Sequence, residues 1–173
     1  ADVAVLPAAV LPVDQEHYVG WLEGRSAAQR RAFVEAPFVQ PEDADLSRSF
    51  ELSFLVEDDG EPVGRQRLVA GERWPERRVL YTASWLLRSA QGRGIGTRSR
   101  TAAVHVAFLH LEATAVRSHV LVENAASARI CEKLGYRLLK RKSAIEGTRQ
   151  VVESIYELRR EDWQPHPGIS HTW

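Results

Sequence analysis

Three glycines within five residues constrain the fold of this chain more than any other feature of its sequence. Gly92, Gly94 and Gly96 follow an apolar run over 79–87 and precede a stretch of helical periodicity over 96–110. Glycine lets the backbone turn tightly and brings successive N–H groups to one concavity, to which a following helix adds its positive end. The cluster therefore predicts either a site for a diphosphate or a tight structural turn, and these residues alone leave both open.

Two familiar phosphate loops fit the cluster poorly. A Walker loop requires a lysine before its threonine, and Gly96-Thr97 has none. The dinucleotide fingerprint requires a third glycine where Thr97 stands, and Glu112, near the spacing of its ribose acid, is expected to end a helix. A dinucleotide-binding domain therefore stays only as an alternative. The nearby arginines, which could bind a phosphate or be solvated, are Arg88, Arg93, Arg98 and Arg100.

Periodicity along the chain predicts a mixed α/β protein. Apolar residues alternate with polar ones where strands are expected and recur every three or four residues where helices are expected. Ser26 is the expected N-cap of a helix, a turn signal at 58–60 marks a hairpin, and Gly135 stands where a glycine ends a helix. The expected helices cover 14–36, 96–110 and 126–134, the loops 37–49 and 73–78, and the strands 50–57, 62–70, 79–87, 115–122, 136–139 and 151–158.

Composition excludes several classes of protein. Lys plus Arg and Asp plus Glu both number 23 among 173 residues, so no diffuse basic surface exists to bind nucleic acid. Cys131 is the only cysteine, which excludes a disulfide scaffold. Residues 1–13 are too short to span a bilayer and lack the charge pattern of a signal peptide. We therefore expect a cytoplasmic protein, a monomer or homodimer, that binds neither nucleic acid nor membrane.

The glycine cluster resembles the acetyl-CoA pyrophosphate loop of the GCN5-related N-acetyltransferases (GNAT). Gln91, Gly94 and Gly96 occupy the fixed positions of the pattern Gln/Arg-x-x-Gly-x-Gly/Ala, which follows an apolar strand. Asn-Ala-Ala-Ser at 124–127 and Glu-Lys-Leu-Gly-Tyr at 132–136 look like the second cofactor segment of the ribosomal-protein N-terminal-acetyltransferase-like branch. Trp-Leu-Leu at 85–87 and Arg-Glu-Asp-Trp at 160–163 look like the same branch. The similarity covers about 79–163, and the first third of the chain matches poorly.

The resemblance implies a single-domain α/β (α+β) fold over 1–173, with a mixed, mostly antiparallel, splayed sheet flanked by helices. It implies acetyl-CoA as cosubstrate, held by 79–163, with 14–49 shaping the acceptor pocket and 164–173 forming a tail. The pantetheine arm would lie between two parting strands of that core. The residues that the resemblance assigns to cofactor binding are Leu86, Leu87, Gln91, Gly92, Arg93, Gly94, Gly96, Thr97, Asn124 and Ser127.

Catalytic roles also follow from the resemblance. A peptide N–H near Leu86 or Leu87, freed by a β-bulge, would polarise the thioester carbonyl, an effect typically worth a few kcal/mol. Ser127 would protonate or hydrogen-bond the departing thiolate, and Asn124 would contact the pantetheine amide. Without the resemblance, Asn124 and Ser127 indicate a plain helix start, because asparagine is a strong N-cap. Both roles can hold for Asn124.

Two positions depart from the family pattern. Many members carry a tyrosine seven residues after the asparagine as the acid toward coenzyme A, and here that position is Cys131. Three roles are open for Cys131: packing, assistance at the thiol, or transient acetylation. Related enzymes also place a glutamate ten or eleven residues before the loop glutamine, where this chain has Leu80 and Tyr81. Tyr81 or Ser84 would then hold a water that carries the proton away.

The remaining carboxylates offer no clear general base, and the histidines no metal site. Loose candidates for the base, each expected to be a solvated surface charge, are Glu51, Glu72, Glu123 and Glu146. His105 and His110 are five residues apart rather than the four that puts ligands on one helix face, so no metal is expected.

The missing base bears on the acceptor, because an α-amine or another amine of low pKa needs less help to lose its proton than a lysine does. We expect an acetyl-CoA-dependent N-acetyltransferase in which the amine attacks the thioester directly. A non-catalytic acyl-CoA-binding module is the alternative.

Overall fold

The computed structural model describes residues 3–5, 26, 28–29, 32, 50–71, 73–146 and 149–167. The strands are β1 (Val3–Val5), β2 (Glu51–Asp58), β3 (Glu61–Ala70), β4 (Val79–Leu86), β5 (Ala115–Leu121), β6 (Arg137–Glu146) and β7 (Arg149–Arg159). The helices between them are α1 (Trp74–Arg77), α2 (Ile95–Leu109) and α3 (Ala125–Lys133). None of the helices in these stretches is long and apolar enough to cross a membrane.

One sheet contains all seven strands, in the order β1-β2-β3-β4-β5-β7-β6. Every neighbouring pair is antiparallel except β4 and β5. These two parallel strands pair only from Val79 with Ala115 to Thr82 with Ser118, although β4 continues to Leu86. The sheet is therefore mixed, mostly antiparallel and open between β4 and β5, which confirms the predicted fold class. We call this opening the β4–β5 gap.

Helices α2 and α3 cover one face of the sheet. The main core forms there, where Ala103 and Phe108 of α2 and Cys131 of α3 pack with Leu80 and Val116 of the two parting strands. Because β4 leads into α2 and β5 leads into α3, this packing places the start of each helix next to the gap. A glycine ends α3 as predicted: Gly135 has a φ of 81°, and the next N–H bonds back to the Cys131 carbonyl at 3.0 Å.

The opposite face of β2 and β3 differs from the sequence expectation. Strict alternation over 50–57 predicts one wet face, yet Ser53 is buried and the Glu51 side chain is only 6% exposed. Both lie beside the arginines of β3, since Arg67 forms an ion pair with Glu51 at 2.5 Å and Arg65 donates to Ser53 Oγ at 2.8 Å. Period two identifies a strand but does not show whether its second face is covered.

Several boundaries were wrong or incomplete. Strand β6 runs to Glu146 rather than ending at Leu139, because its second half is a polar edge strand without an apolar pattern. The expected connection over 73–78 contains α1. Ser26 is an N-cap as predicted, since its Oγ accepts the Gln29 N–H at 3.2 Å. Residues 28–29 and 32 are helical as predicted, whereas the other residues of 14–36 and the whole loop over 37–49 lie outside the described residues.

The start of the C-terminal tail is docked. The His166 N–H donates to His105 Nε2 at 3.0 Å, and the Trp163 ring lies 5.2 Å from that of Phe108. Both partners belong to α2, so this part of the tail packs against the same helix that follows the glycine cluster.

Candidate active site

The glycine cluster joins the end of β4 to the start of α2. Gly92 and Gly94 have φ values of 74° and 77°, a left-handed conformation that other residues rarely adopt. Gln91 fixes the loop to the strand, because its Nε2 donates to the Leu86 carbonyl at 3.0 Å. The turn is therefore held in place by a residue of the motif itself.

The three glycines serve different purposes. A Cβ at Gly92 would meet nothing within 4 Å, and one at Gly94 would meet only the end of the Arg98 side chain, at 3.4 Å. A Cβ at Gly96 would instead lie 3.2 Å from Ile130 Cδ1, between α2 and α3. The space outside Gly92 and Gly94 is open to a ligand, whereas the missing side chain of Gly96 allows helix packing.

The N-terminus of α2 suits a diphosphate. Its cap is Gly94, which offers no side-chain hydrogen bond, and no acidic residue stands in the first turn. The first N–H groups of the helix, those of Ile95, Gly96 and Thr97, have no intrahelical carbonyl to bond, and no acidic side chain of the first turn compensates their positive end. The residues present therefore fit the acetyl-CoA diphosphate that the sequence predicts here.

The four arginines near the loop do not act alike. Arg93 forms an ion pair with Asp58 at 2.7 Å, and the exposed Arg98 donates to the Arg93 carbonyl at 3.4 Å. Arg88 is also exposed. Arg100 points inward and is only 3% exposed, so it is not among the arginines at the loop surface.

The predicted oxyanion donor needs a correction. The Leu87 N–H donates to the Val63 carbonyl at 2.8 Å, and β4 pairs with β3 without a register shift from Leu80 to Leu86. No bulge therefore frees the Leu87 N–H, and the Leu87 side chain is buried. The N–H and C=O groups of successive residues alternate in direction along a strand. Since the Leu87 N–H points to β3, the N–H and C=O groups of Ser84 and Leu86 point away from β3 and into the β4–β5 gap.

Asn124 and Ser127 form the start of α3. Asn124 Oδ1 accepts the Ser127 N–H at 3.0 Å, which is the predicted N-cap. The Ser127 hydroxyl accepts a bond from Arg100 Nη1 at 3.4 Å. Ser127 is thus held by its backbone and by its side chain, on the face of the sheet that α2 and α3 cover.

Arg100 is a site residue whose position the sequence analysis missed. Its Nη2 donates to Ser84 Oγ at 2.8 Å, and its Nη1 contacts Ser118 Oγ at 3.2 Å, Ser127 Oγ at 3.4 Å and Cys131 Sγ at 3.5 Å. One guanidinium therefore connects β4, β5 and α3. A signal existed, because Arg100 falls on the helix stripe that carries Ala103 and Ala107.

Cys131 packs in the main core and is fully buried. Burial raises the pKa of its thiol, and the nearby Arg100 offsets this only in part. Burial likewise raises the pKa of Tyr136, whose hydroxyl lies close enough to feel the charge of Arg100. Both groups are neutral at neutral pH, so Cys131 does not present the thiolate that transient acetylation requires.

The residues considered as general base, or as holding a water for proton removal, differ in their surroundings. Glu51 is bound by two arginines, and the exposed Glu123 lies in the turn that follows β5. The side chains of Glu72 and Glu146 lie outside the described residues. Leu80 is fully buried, and Ser84 is bonded to Arg100.

Tyr81 lies on the face opposite α2, together with His119, a second residue that the sequence analysis passed over. The two rings meet edge to face at 5.4 Å. His119 is the first residue of β5 beyond the segment that pairs with β4, and its Nδ1 lies 3.2 Å from Glu153 Oε2. An imidazole whose side chain is 32% exposed thus stands at the mouth of the β4–β5 gap, with a carboxylate beside it. Among the described residues, no three His, Cys, Asp or Glu side chains are grouped to hold a metal.

Comparison with known proteins agrees with this geometry. A family model described as an acetyltransferase (GNAT) domain matches residues 2–137. A ribosomal-protein-S5-alanine acetyltransferase from Vibrio fischeri is 16% identical, with a TM-score of 0.59 over 69% of this chain and 66% of that one. This chain therefore spans just under two thirds of that protein.

Two further solved structures are similar over more of their length. A ribosomal-protein-alanine N-acetyltransferase from Brucella melitensis is 17% identical, with a TM-score of 0.57 over 85% of this chain and 79% of that one. Mutant forms of a spermidine/spermine N-acetyltransferase from Vibrio cholerae are 16% identical, with a TM-score of 0.61 over 92% and 96%. At these identities the likeness establishes the fold.

Proposed function

This chain belongs to the GNAT acetyltransferase family, and we propose that it transfers an acetyl group from acetyl-CoA to an amine of low pKa, foremost a terminal α-amine. The observation that carries the proposal is the β4–β5 gap, which opens after four residue pairs beside the uncapped start of α2. A gap in the sheet next to free helix N–H groups offers one continuous path for a diphosphate and the arm attached to it.

The chain supplies contacts along that path. Gly92, Gly94 and the first N–H groups of α2 bind the diphosphate, with Arg93 and Thr97 beside them. The peptide groups of Ser84 and Leu86 face the gap, where they bind the arm and polarise the thioester carbonyl. Asn124 caps α3 and contacts the pantetheine amide, and Ser127 donates a proton to the departing sulfur. Bound acetyl-CoA supplies the activated acetyl group.

The absence of a carboxylate at 80–81 decides the class of acceptor. A lysine amine with a pKa of about 10.4 is neutral in about one molecule of 2,500 at pH 7, a penalty near 4.6 kcal/mol. An α-amine with a pKa near 8 is neutral in about one of ten, which costs about 1.4 kcal/mol. A site without a strong base therefore favours the α-amine by about 3 kcal/mol.

Proton removal takes place on the Tyr81 side of the sheet. His119 accepts the proton of the acceptor, directly or through a water held by Tyr81, and Glu153 stabilises the imidazolium that forms. Histidine accepts a proton readily near neutral pH, which suits an amine that is already partly neutral. Two faces then divide the work, with the amine on the His119 side and the leaving sulfur on the Ser127 side.

An acceptor panel tests the proposal. Thiol release from acetyl-CoA is measured with a peptide bearing a free N-terminus, the same peptide N-terminally blocked with a free lysine, and an amino-sugar. We expect the free N-terminus to give the highest kcat/KM. A clear lysine preference contradicts the α-amine assignment, and coenzyme A binding without thiol release for any amine supports the non-catalytic module instead.

A further inference from the structure

The β4–β5 gap contains a buried positive charge that the family assignment does not explain. Arg100 is 3% exposed, and its side-chain partners among the described residues are three hydroxyls and a thiol. Its Nε has no hydrogen-bond partner among the described residues. Within the described part of the chain, no carboxylate lies within ion-pair distance of this guanidinium.

A buried cation with only neutral partners is unfavourable, because hydroxyl groups replace its lost hydration incompletely. The two buried titratable groups beside the guanidinium do not supply the missing negative charge. Cys131 and Tyr136 stay neutral because burial raises the pKa of each. Since no described residue supplies the compensating anion, a ligand or the reaction is its proposed source.

The position of the guanidinium indicates which anion this is. Ser118 is the last residue of β5 that pairs with β4. Ser84 lies two residues beyond Thr82, which is the last residue of β4 that pairs with β5. Arg100 binds both serines and thus spans the gap at the point where it opens. It also reaches Ser127, on the side where the proposed function places the sulfur.

Acetyl transfer generates a negative charge at this point. The acceptor nitrogen forms a bond to the carbonyl carbon while the carbon–sulfur bond breaks, and the sulfur keeps the electron pair of that bond. Nitrogen loses one proton toward His119, and the thiolate gains one from the Ser127 hydroxyl, which recovers it from water. A cation near Ser127 stabilises the thiolate before that proton arrives.

We propose that Arg100 is a positioning residue for the leaving group: it orients the Ser127 hydroxyl and stabilises the departing thiolate of coenzyme A. Arg100 Nη1 donates to Ser127 Oγ, so the hydroxyl hydrogen points elsewhere and is available to the sulfur. The same charge makes the hydroxyl a better acid. This assignment rests on the proposed function, because it needs the sulfur to lie beside Ser127.

The test compares Arg100→Met and Arg100→Lys with Arg129→Met, a matched change at an exposed arginine of α3. Coenzyme A is titrated on each protein by thiolate absorbance, with desulfo-coenzyme A as the blank that removes protein signals. We expect the wild type and Arg129→Met to lower the pKa of the bound thiol. Arg100→Met raises it by about one unit, a tenfold change, and Arg100→Lys falls between.

Kinetics and stability complete the test. We expect Arg100→Met to lower kcat by about tenfold or more with little change in the KM for acetyl-CoA. Its melting temperature stays level or rises, because methionine removes an unpaired buried charge at similar length. A merely structural arginine would lower stability and leave the thiol pKa unchanged, and a phosphate-binding one would raise KM at constant kcat. Either result overturns the proposal.

The titration needs no acceptor amine, so its outcome is independent of the acceptor panel. If the wild type shifts the thiol pKa but releases no thiol with any amine, the Arg100 assignment stands and the proposed acceptor class fails. If Arg100→Met fails to fold, Arg100→Lys keeps the charge, and an unchanged thiol pKa and kcat in that variant contradict the orientation of Ser127 by a planar guanidinium.

Discussion

Two buried arginines, one on each face of the sheet, show how differently the same charge can be treated. Arg65 is 6% exposed and Arg100 is 3% exposed. Arg65 lies 3.6 Å from the Glu51 carboxylate and donates to Ser53, within a cluster that Arg67 completes. Arg100 has hydroxyls and a thiol around it, and no carboxylate among the described residues.

The difference separates a buried charge that stabilises the fold from one that we expect to act in the reaction. The Glu51 cluster is compensated within the chain, so its energetic effect is on folding and appears when one partner is removed. No described residue supplies an anion to the Arg100 cluster, so we expect its effect in the state in which an anion is bound or formed there. The comparison therefore predicts opposite consequences for stability from changes at two sites of similar burial.

Removal of the carboxylate from the compensated cluster gives the largest expected effect. Glu51→Gln removes the carboxylate charge that pairs with Arg67 and lies 3.6 Å from the buried Arg65, and we expect it to lower the free energy of unfolding by about 3 kcal/mol. Urea denaturation measures the change. Glu112→Gln is the control, because Glu112 pairs with Arg78 at 2.9 Å but is 74% exposed, and it should change little. Equal losses in both variants would remove the distinction between the two arginines.

The predictable parts of the site are those that local spacing determines. The glycine loop, the Asn124 cap and Gly135 each depend on a few consecutive residues, and the structure shows the expected turn, hydrogen bond and backbone angle. The loop was recognisable because conformation requires Gly92 and Gly94 to be glycine and helix packing requires it of Gly96. The resemblance to the GNAT family rests on the same local patterns.

The parts that could not be predicted depend on partners distant in sequence. The Leu87 N–H is occupied by Val63 of the neighbouring strand, which no pattern around Leu87 indicates. Glu51 was expected to be a surface charge. Its burial could not be predicted, because it depends on two arginines that the β2–β3 register aligns with it. The partners of Arg100 come from three elements, and only the folded chain brings them to one guanidinium.

A change at His119 tests whether the amine loses its proton on this face of the sheet, opposite the face that carries Ser127. We expect His119→Gln to lower kcat/KM by about a hundredfold near neutral pH, because the acceptor loses its proton acceptor. The loss should shrink as the pH rises, since more of the amine is then neutral without help. Rate–pH profiles of both proteins measure this, with His110→Gln at the end of α2 as control. A pH-independent deficit would assign His119 to structure.

The glycine loop can be tested against a glycine with the same backbone angle elsewhere. Gly94 and Gly60 both have a φ of 77°, and Gly60 lies in the β2–β3 turn with nothing near its missing Cβ. Valine at either position strains the backbone by about 1 kcal/mol or more. We expect only Gly94→Val to weaken coenzyme A binding, by about tenfold, because only Gly94 lies in the proposed diphosphate site. Calorimetric titration separates the two variants, and equal affinities would contradict the loop assignment.

The smallest expected effect belongs to a compensated carboxylate, Glu157, which accepts bonds from Arg117 Nε at 2.7 Å and Arg159 Nε at 3.1 Å. Burial opposes ionisation of this carboxyl, but the two guanidinium groups hold its pKa below the ordinary value. Its contribution to stability is therefore fully present above that ordinary value, 4.5, and is lost as the pH falls through the lower folded value. Glu157→Gln should flatten this acid limb in urea denaturation at a series of pH values, whereas Glu161→Gln, at a carboxylate 75% exposed, should not. If the free energy of unfolding falls equally with decreasing pH in wild type and Glu157→Gln, then among the two clusters on this face only the Glu51 cluster contributes to stability.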